Sequence, residues 1–116
     1  MTSPILAAVD DMFFAAKIRA TAEALDVRIR FFRRLEDLLA AASEETPRLI
    51  LVDLHNEKID PMALARELKS SLPAIPLLGF FSHVQTDLQR AAVAAGYDKV
   101  IPRSVFARDL AELIGT

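Results

Sequence analysis

Four short stretches of this sequence carry the side chains that could do chemistry: Asp10-Asp11, Asp53, Ser82-His83 and Arg103-Ser104. Each directly follows a short apolar run. If the chain brings these ends together, three carboxylates meet beside a hydroxyl and a guanidinium. Three acids that close repel one another and raise one another's pKa unless a cation joins them. A hard, oxygen-liganded ion such as Mg²⁺ is the expected partner. A carboxylate beside such an ion and a basic side chain is a competent nucleophile toward a phosphoryl group. Each residue also has a purely structural reading. An Asp after a strand caps the next helix. Ser82 and Gln85 have capping-box spacing, which would leave His83 at the rim of the pocket.

The elements that must position these residues follow from the hydrophobic periodicity. Ile5–Val9, Leu49–Val52 and Ile75–Phe81 are near-continuous apolar runs, as strands covered on both faces must be. Val27–Phe32 alternates apolar residues with Arg28 and Arg30, which suits an edge strand, and Lys99–Ile101 is short enough for the other edge. Between them lie stripes of helical period: Phe14, Ile18, Ala22 and Leu25 over 12–25, then Leu35, Leu38, Leu39 and Ala42 over 35–43. Leu64, Leu68 and Leu72 form a third, Leu88, Ala91, Ala92 and Ala95 a fourth, and Phe106, Leu110 and Leu113 a fifth. Asp60-Pro61 reads as a cap followed by Pro at the first helical position, Gly96 as a helix stop, and Ser104 as the cap of the last helix. Five strands alternating with five helices imply an α/β fold: a doubly wound parallel sheet with helices on both faces. The strand characters place the order at 2-1-3-4-5, with the switch point between strands one and three. Ligands in such sheets sit outside the carboxyl ends of the strands at that point, which is where Asp10, Asp11 and Asp53 fall.

Composition removes other classes. The 116 residues fit one domain, spanning 1–116, so any output module is expected on another chain. No Cys means no disulfide, thiolate metal site or Cys nucleophile. A net charge of −2 gives no electrostatic case for nucleic acid or a membrane surface. Nothing resembles a signal peptide or a spanning segment, so a cytoplasmic location is expected. With only three glycines, Gly79, Gly96 and Gly115, no GxGxxG or P-loop is available to cradle a nucleotide. No nucleophile elbow appears, and the chain is not expected to be an enzyme.

With VDD at 9–11, LILVDL at 49–54 and AAGYDKVIPR at 94–103, the chain resembles a response-regulator receiver domain of two-component signalling over essentially its whole length. The resemblance implies the (βα)5 flavodoxin-like receiver fold and a phosphorelay role. Asp53 would be the phospho-acceptor. Asp10, Asp11 and Asp53 would hold Mg²⁺, with help from the backbone carbonyl of His55. A histidine kinase or phosphotransfer protein would donate the phosphoryl group. A downstream effector protein would read it, and a homodimer through helix four, strand five and helix five is compatible with small Ala91–Ala95.

The chain also departs from the family. Receivers carry a Lys, usually followed by Pro, at the end of strand five; here Arg103 stands in that place, followed by Ser104. Arg keeps the charge but presents a wide planar fork. It could grip a phosphoryl oxygen or pair permanently with Asp53. Gapless counting puts Phe81 at the usual switch hydroxyl, and a one-residue shift would give Ser82. The acceptor loop, His55 to Pro61, lacks the usual Gly, and Val100 replaces the switch aromatic. His55 reads as a solvated loop residue, with a metal ligand through its side chain as the alternative. Arg28, Arg30, Arg33 and Arg34 read as a solvated edge, with an anionic-partner surface as the alternative. Three functions follow: a stand-alone phosphoryl-accepting receiver; a phosphorylation-independent pseudo-receiver acting as an interaction module; and a flavodoxin-like small-ligand domain. The last is disfavoured, because the chain lacks both a phosphate loop and an aromatic pair to sandwich a flavin.

Overall fold

The computed structural model describes residues 3–82 and 85–115. In chain order the elements are β1 (Ile5–Ala8), α1 (Met12–Ala24), β2 (Ile29–Phe31), α2 (Leu35–Glu45), β3 (Leu49–Asp53) and α3 (Pro61–Ser71). There follow β4 (Leu77–Phe81), α4 (Thr86–Ala95), β5 (Lys99–Pro102), α5 (Arg103–Arg108) and α6 (Leu110–Gly115). The five strands form one parallel sheet in the order β2-β1-β3-β4-β5, as expected.

Strand side chains alternate between two cores, because successive residues point to opposite faces. Leu6, Ala8, Ile50, Val52, Leu77 and Phe81 pack with α2, α3 and α4. Ile5, Ala7, Val9, Leu51, Leu78 and Phe80 pack with α1, α5 and α6. β1, β3 and β4 are almost wholly buried, which explains their unbroken apolar runs. Gly79 is required by a close approach: a Cβ there would meet Leu54 Cδ2 at 2.8 Å and Tyr97 Cδ1 at 3.0 Å. The predicted stop at Gly96 is also realised, at φ 121°, where L side chains are strained.

Three local expectations are corrected. Ser104 does not cap the last helix. Pro102 occupies the cap position with no side chain able to serve, and α5 begins at Arg103, leaving Ser104 in the first turn. The last helix is two segments, interrupted at Asp109, a weak helix former whose carboxylate is held by its neighbour Arg108 at 2.9 and 3.0 Å. The Ser82–Gln85 capping box does not form, since α4 starts at Thr86 with Gln85 as an unbonded cap. His83 lies outside the described residues.

Candidate functional site

Asp53 is the last residue of β3, in register with Phe80 of β4, and is only 5% exposed. Its Oδ1 accepts a 2.9 Å hydrogen bond from the His55 backbone N–H. Burial pushes this carboxyl above the usual carboxylate range. The His55 amide and the charges of His55 and Arg103 oppose that rise, and the charge of Asp10 adds to it. A carboxylate this buried pays for desolvation unless a cation comes to it. Asp10 lies just past β1, half-buried, and lines an open groove with Met12, Arg19, Phe31 and Arg33.

Asp11 is used differently from Asp53. Its Oδ1 accepts from Phe13 N at 3.0 Å and Phe14 N at 3.1 Å, so it caps α1. Its Oδ2 accepts from Arg103 Nη2 at 2.8 Å. The Phe14 amide, then the Arg103 hydrogen bond, hold its carboxyl below the usual range against the effect of burial. Arg103, the first residue of α5, reaches back across the carboxyl edge of the sheet to do this. Its Cζ lies 4.1 Å over the ring of Phe14, a cation–π contact. Phe14 rests in turn on Phe80 at 5.2 Å and Phe106 at 5.7 Å, and those two rings stack at 4.7 Å. The hydrogen bond from Arg103 therefore goes to Asp11 and not to Asp53, the pairing considered from sequence.

The three acids thus reach one edge of the sheet without forming a ready cation site. Among the described residues, no three His, Cys, Asp or Glu side chains converge to hold an ion. Both oxygens of Asp11 are engaged, one by helix amides and one by Arg103. As folded, the side chains do not fit a divalent ion unless Asp11 lets go of Arg103.

Ser82 is the first residue past β4 and is exposed, with no hydrogen bond to Asp53, whereas Phe81 is buried in the core beneath α2, α3 and α4. His55 is not the solvated residue expected: it is half-buried, with Nε2 closed off from solvent. The arginine cluster is partly neutralised internally, by two carboxylates. Arg28 and Arg30 both pair with Glu45 of α2, and Arg34 with Glu36. Of the α4 stripe, Ala92 is fully buried, whereas Ala91 faces solvent.

Two residues that shape the site's surroundings escaped the sequence reading. Asn56 is buried, and its Oδ1 accepts from Lys58 N at 2.7 Å and Ile59 N at 2.9 Å, folding the loop after Asp53. An Asn two or three residues before amides that need a partner is the signal that could have found it. Tyr97 is buried, and its hydroxyl donates to Pro61 O at 2.8 Å.

No family model matches the chain. Over 79 residues, 68% of the chain, it is 32% identical to the response regulator protein VraR of Staphylococcus aureus, and it covers 38% of that protein's length. The chain therefore spans well under half the length of the curated relatives it matches. Among solved structures, a CheY-like response regulator receiver domain protein from Methanospirillum hungatei superposes with a TM-score of 0.84 at 20% identity, covering 98% of this chain and 91% of that one. The signal receiver domain of a response regulator from Bermanella marisrubri gives 0.82 at 21%, covering 98% and 96%. The phosphorylated cyanobacterial phytochrome response regulator RcpA gives 0.80 at 19%, covering 99% and 90%. The fold is that of the response-regulator receiver, and the resemblance drawn from the three sequence stretches is borne out.

Proposed function

We propose that this chain, folded as a response-regulator receiver domain, accepts a phosphoryl group on Asp53 and signals through protein contacts. The observation that carries the reading is Asp53 itself. It stands at the carboxyl end of β3, beside the point where the strand order reverses, with one oxygen fixed by the His55 amide. With Oδ1 held, Oδ2 is the oxygen that would attack phosphorus. The bond from phosphorus to the donor breaks as the new P–O bond forms, and its electron pair leaves with the donor, the imidazole of a phosphohistidine. Arg103, held on Asp11 at 2.8 Å, adds a weaker favourable charge at Asp53 from that position.

The donor in this reading is a histidine kinase or phosphotransfer protein, and the reader is an effector protein in the same cytoplasmic compartment. The 116 residues act as a single domain. No helix among the described residues is long and apolar enough to cross a membrane. The α4–β5–α5 face, with Val93 62% exposed, is the surface for self-association. The test is incubation with acetyl phosphate and Mg²⁺ followed by intact mass measurement. The wild type gains one phosphoryl group and Asp53→Asn gains none. A wild type that gains no mass at saturating Mg²⁺ refutes the reading.

A second reading, a phosphorylation-independent interaction module, is favoured by one observation. Arg103 is already paired, and no hydroxyl from Ser82 reaches Asp53. It predicts partner binding that survives Asp53→Asn unchanged.

A further inference from the structure

We propose that Arg103 is the resident counter-ion of the acid pocket and competes with divalent cations for Asp11. The inference concerns cation occupancy alone and stands whether or not Asp53 accepts phosphate.

Asp11 has two oxygens, and α1 takes one of them through the amides of Phe13 and Phe14. That leaves Oδ2 as the oxygen that a cation would need from Asp11, and Arg103 Nη2 holds it at 2.8 Å. The two side chains are 35% and 31% exposed, so solvent weakens the pair but does not abolish it. A second contact holds the guanidinium in place: Phe14 lies beneath it at 4.1 Å and is itself wedged against Phe80 and Phe106. Lys would lose the planar fork and much of this stacking. An arriving cation must therefore displace a tethered one, as well as shed its own water. Arg103 also opens α5 and follows directly on β5, so its release is felt at the β5–α5 junction. Cation occupancy of the pocket and the position of Arg103 become mutually exclusive states.

The test is Mn²⁺ binding followed by electron paramagnetic resonance, with Mg²⁺ competition, on the whole chain. Arg103→Gln removes the charge and is expected to bind the ion about tenfold more tightly than the wild type, equivalent to about 1.4 kcal/mol. Arg103→Lys falls between the two, and it keeps the proposal testable if Arg103→Gln does not fold. In an Asp11→Asn background the effect of Arg103→Gln shrinks toward nothing, because the contested oxygen no longer carries charge. Equal or weaker ion binding by both Arg103 variants overturns the proposal. So does a wild type that binds Mg²⁺ while amide and guanidinium resonances at Phe14 and Arg103 stay unchanged.

Discussion

Replacing Asp53 with Asn should make the protein more stable at neutral pH, although it removes the carboxylate proposed as acceptor. The side chain is 5% exposed and has one hydrogen-bond donor, the His55 amide. Burying a carboxylate costs several kcal/mol after relaxation. A hydrogen bond to a charged acceptor returns about 1.5–3 kcal/mol. The shortfall is consistent with a carboxyl pushed upward by burial, with Asp10 adding to the push. Asn is nearly isosteric, keeps an oxygen for the His55 amide, and carries no charge to desolvate. The net gain is about 1–2 kcal/mol, or about 4–8 °C in Tm for a domain of this size. The pH dependence fixes the sign. The folded carboxyl holds its proton above the ordinary value of 3.8, so the native state loses stability as pH rises from 3.8 through the raised folded value. The advantage of Asp53→Asn is therefore full above that window and vanishes below 3.8. Urea unfolding of both proteins at neutral and acidic pH reads this directly. A variant less stable than the wild type at neutral pH, or an advantage that grows on acidification, would refute the reasoning.

Two other outcomes follow from packing. Gly79→Ala places a Cβ 2.8 Å from Leu54 Cδ2 in the centre of β4 and should cost about 1–3 kcal/mol, seen as a lower urea midpoint at unchanged slope. Tyr97→Phe strips the Pro61 carbonyl of its 2.8 Å partner and should cost about 1 kcal/mol in the same assay. Tyr97 is the chain's single tyrosine, and burial, aided by the charge of Asp60, pushes its phenol far above 10.0. Stability therefore falls as pH rises past 10.0, and tyrosinate absorbance should develop only as the chain unfolds.

The fold was legible because its central strands are buried on both faces. Ile5–Ala8, Leu49–Asp53 and Leu77–Phe81 cannot be anything but interior strands once helical stripes separate them, and the parallel order follows from handed crossovers. The edge strand β2 was legible from its arginines, and Glu45 on α2 explains why two of them are tolerated there. The split of the last helix was hidden for a definite reason. Phe106, Leu110 and Ile114 keep an i, i+4 stripe straight across Asp109, so hydrophobic period continues where the helix does not. Period also pointed to Leu113, half-buried, whereas Ile114 is the residue that reaches the core.

The candidate site was legible as a set of residues but not as a set of bonds. Strand ends fix where Asp10, Asp11, Asp53 and Arg103 stand; they do not say which oxygen meets which donor. For Asp11 the cap reading and the pocket reading were posed as alternatives; the structure shows the cap on one oxygen and an Arg103 ion pair, rather than a cation site, on the other. Phe14 helps hold Arg103 on Asp11 rather than Asp53. That ring is fixed by the Phe80–Phe106 stack, and a guanidinium lying over it has its fork directed at the adjacent cap residue. Aromatic packing beneath the sheet edge thus supports an ion pair between residues 92 positions apart. A polar pocket would ordinarily be read from its charges alone. Here an apolar ring lies under the charge and helps orient it, so Phe14 belongs to the electrostatics of the pocket alongside Asp11.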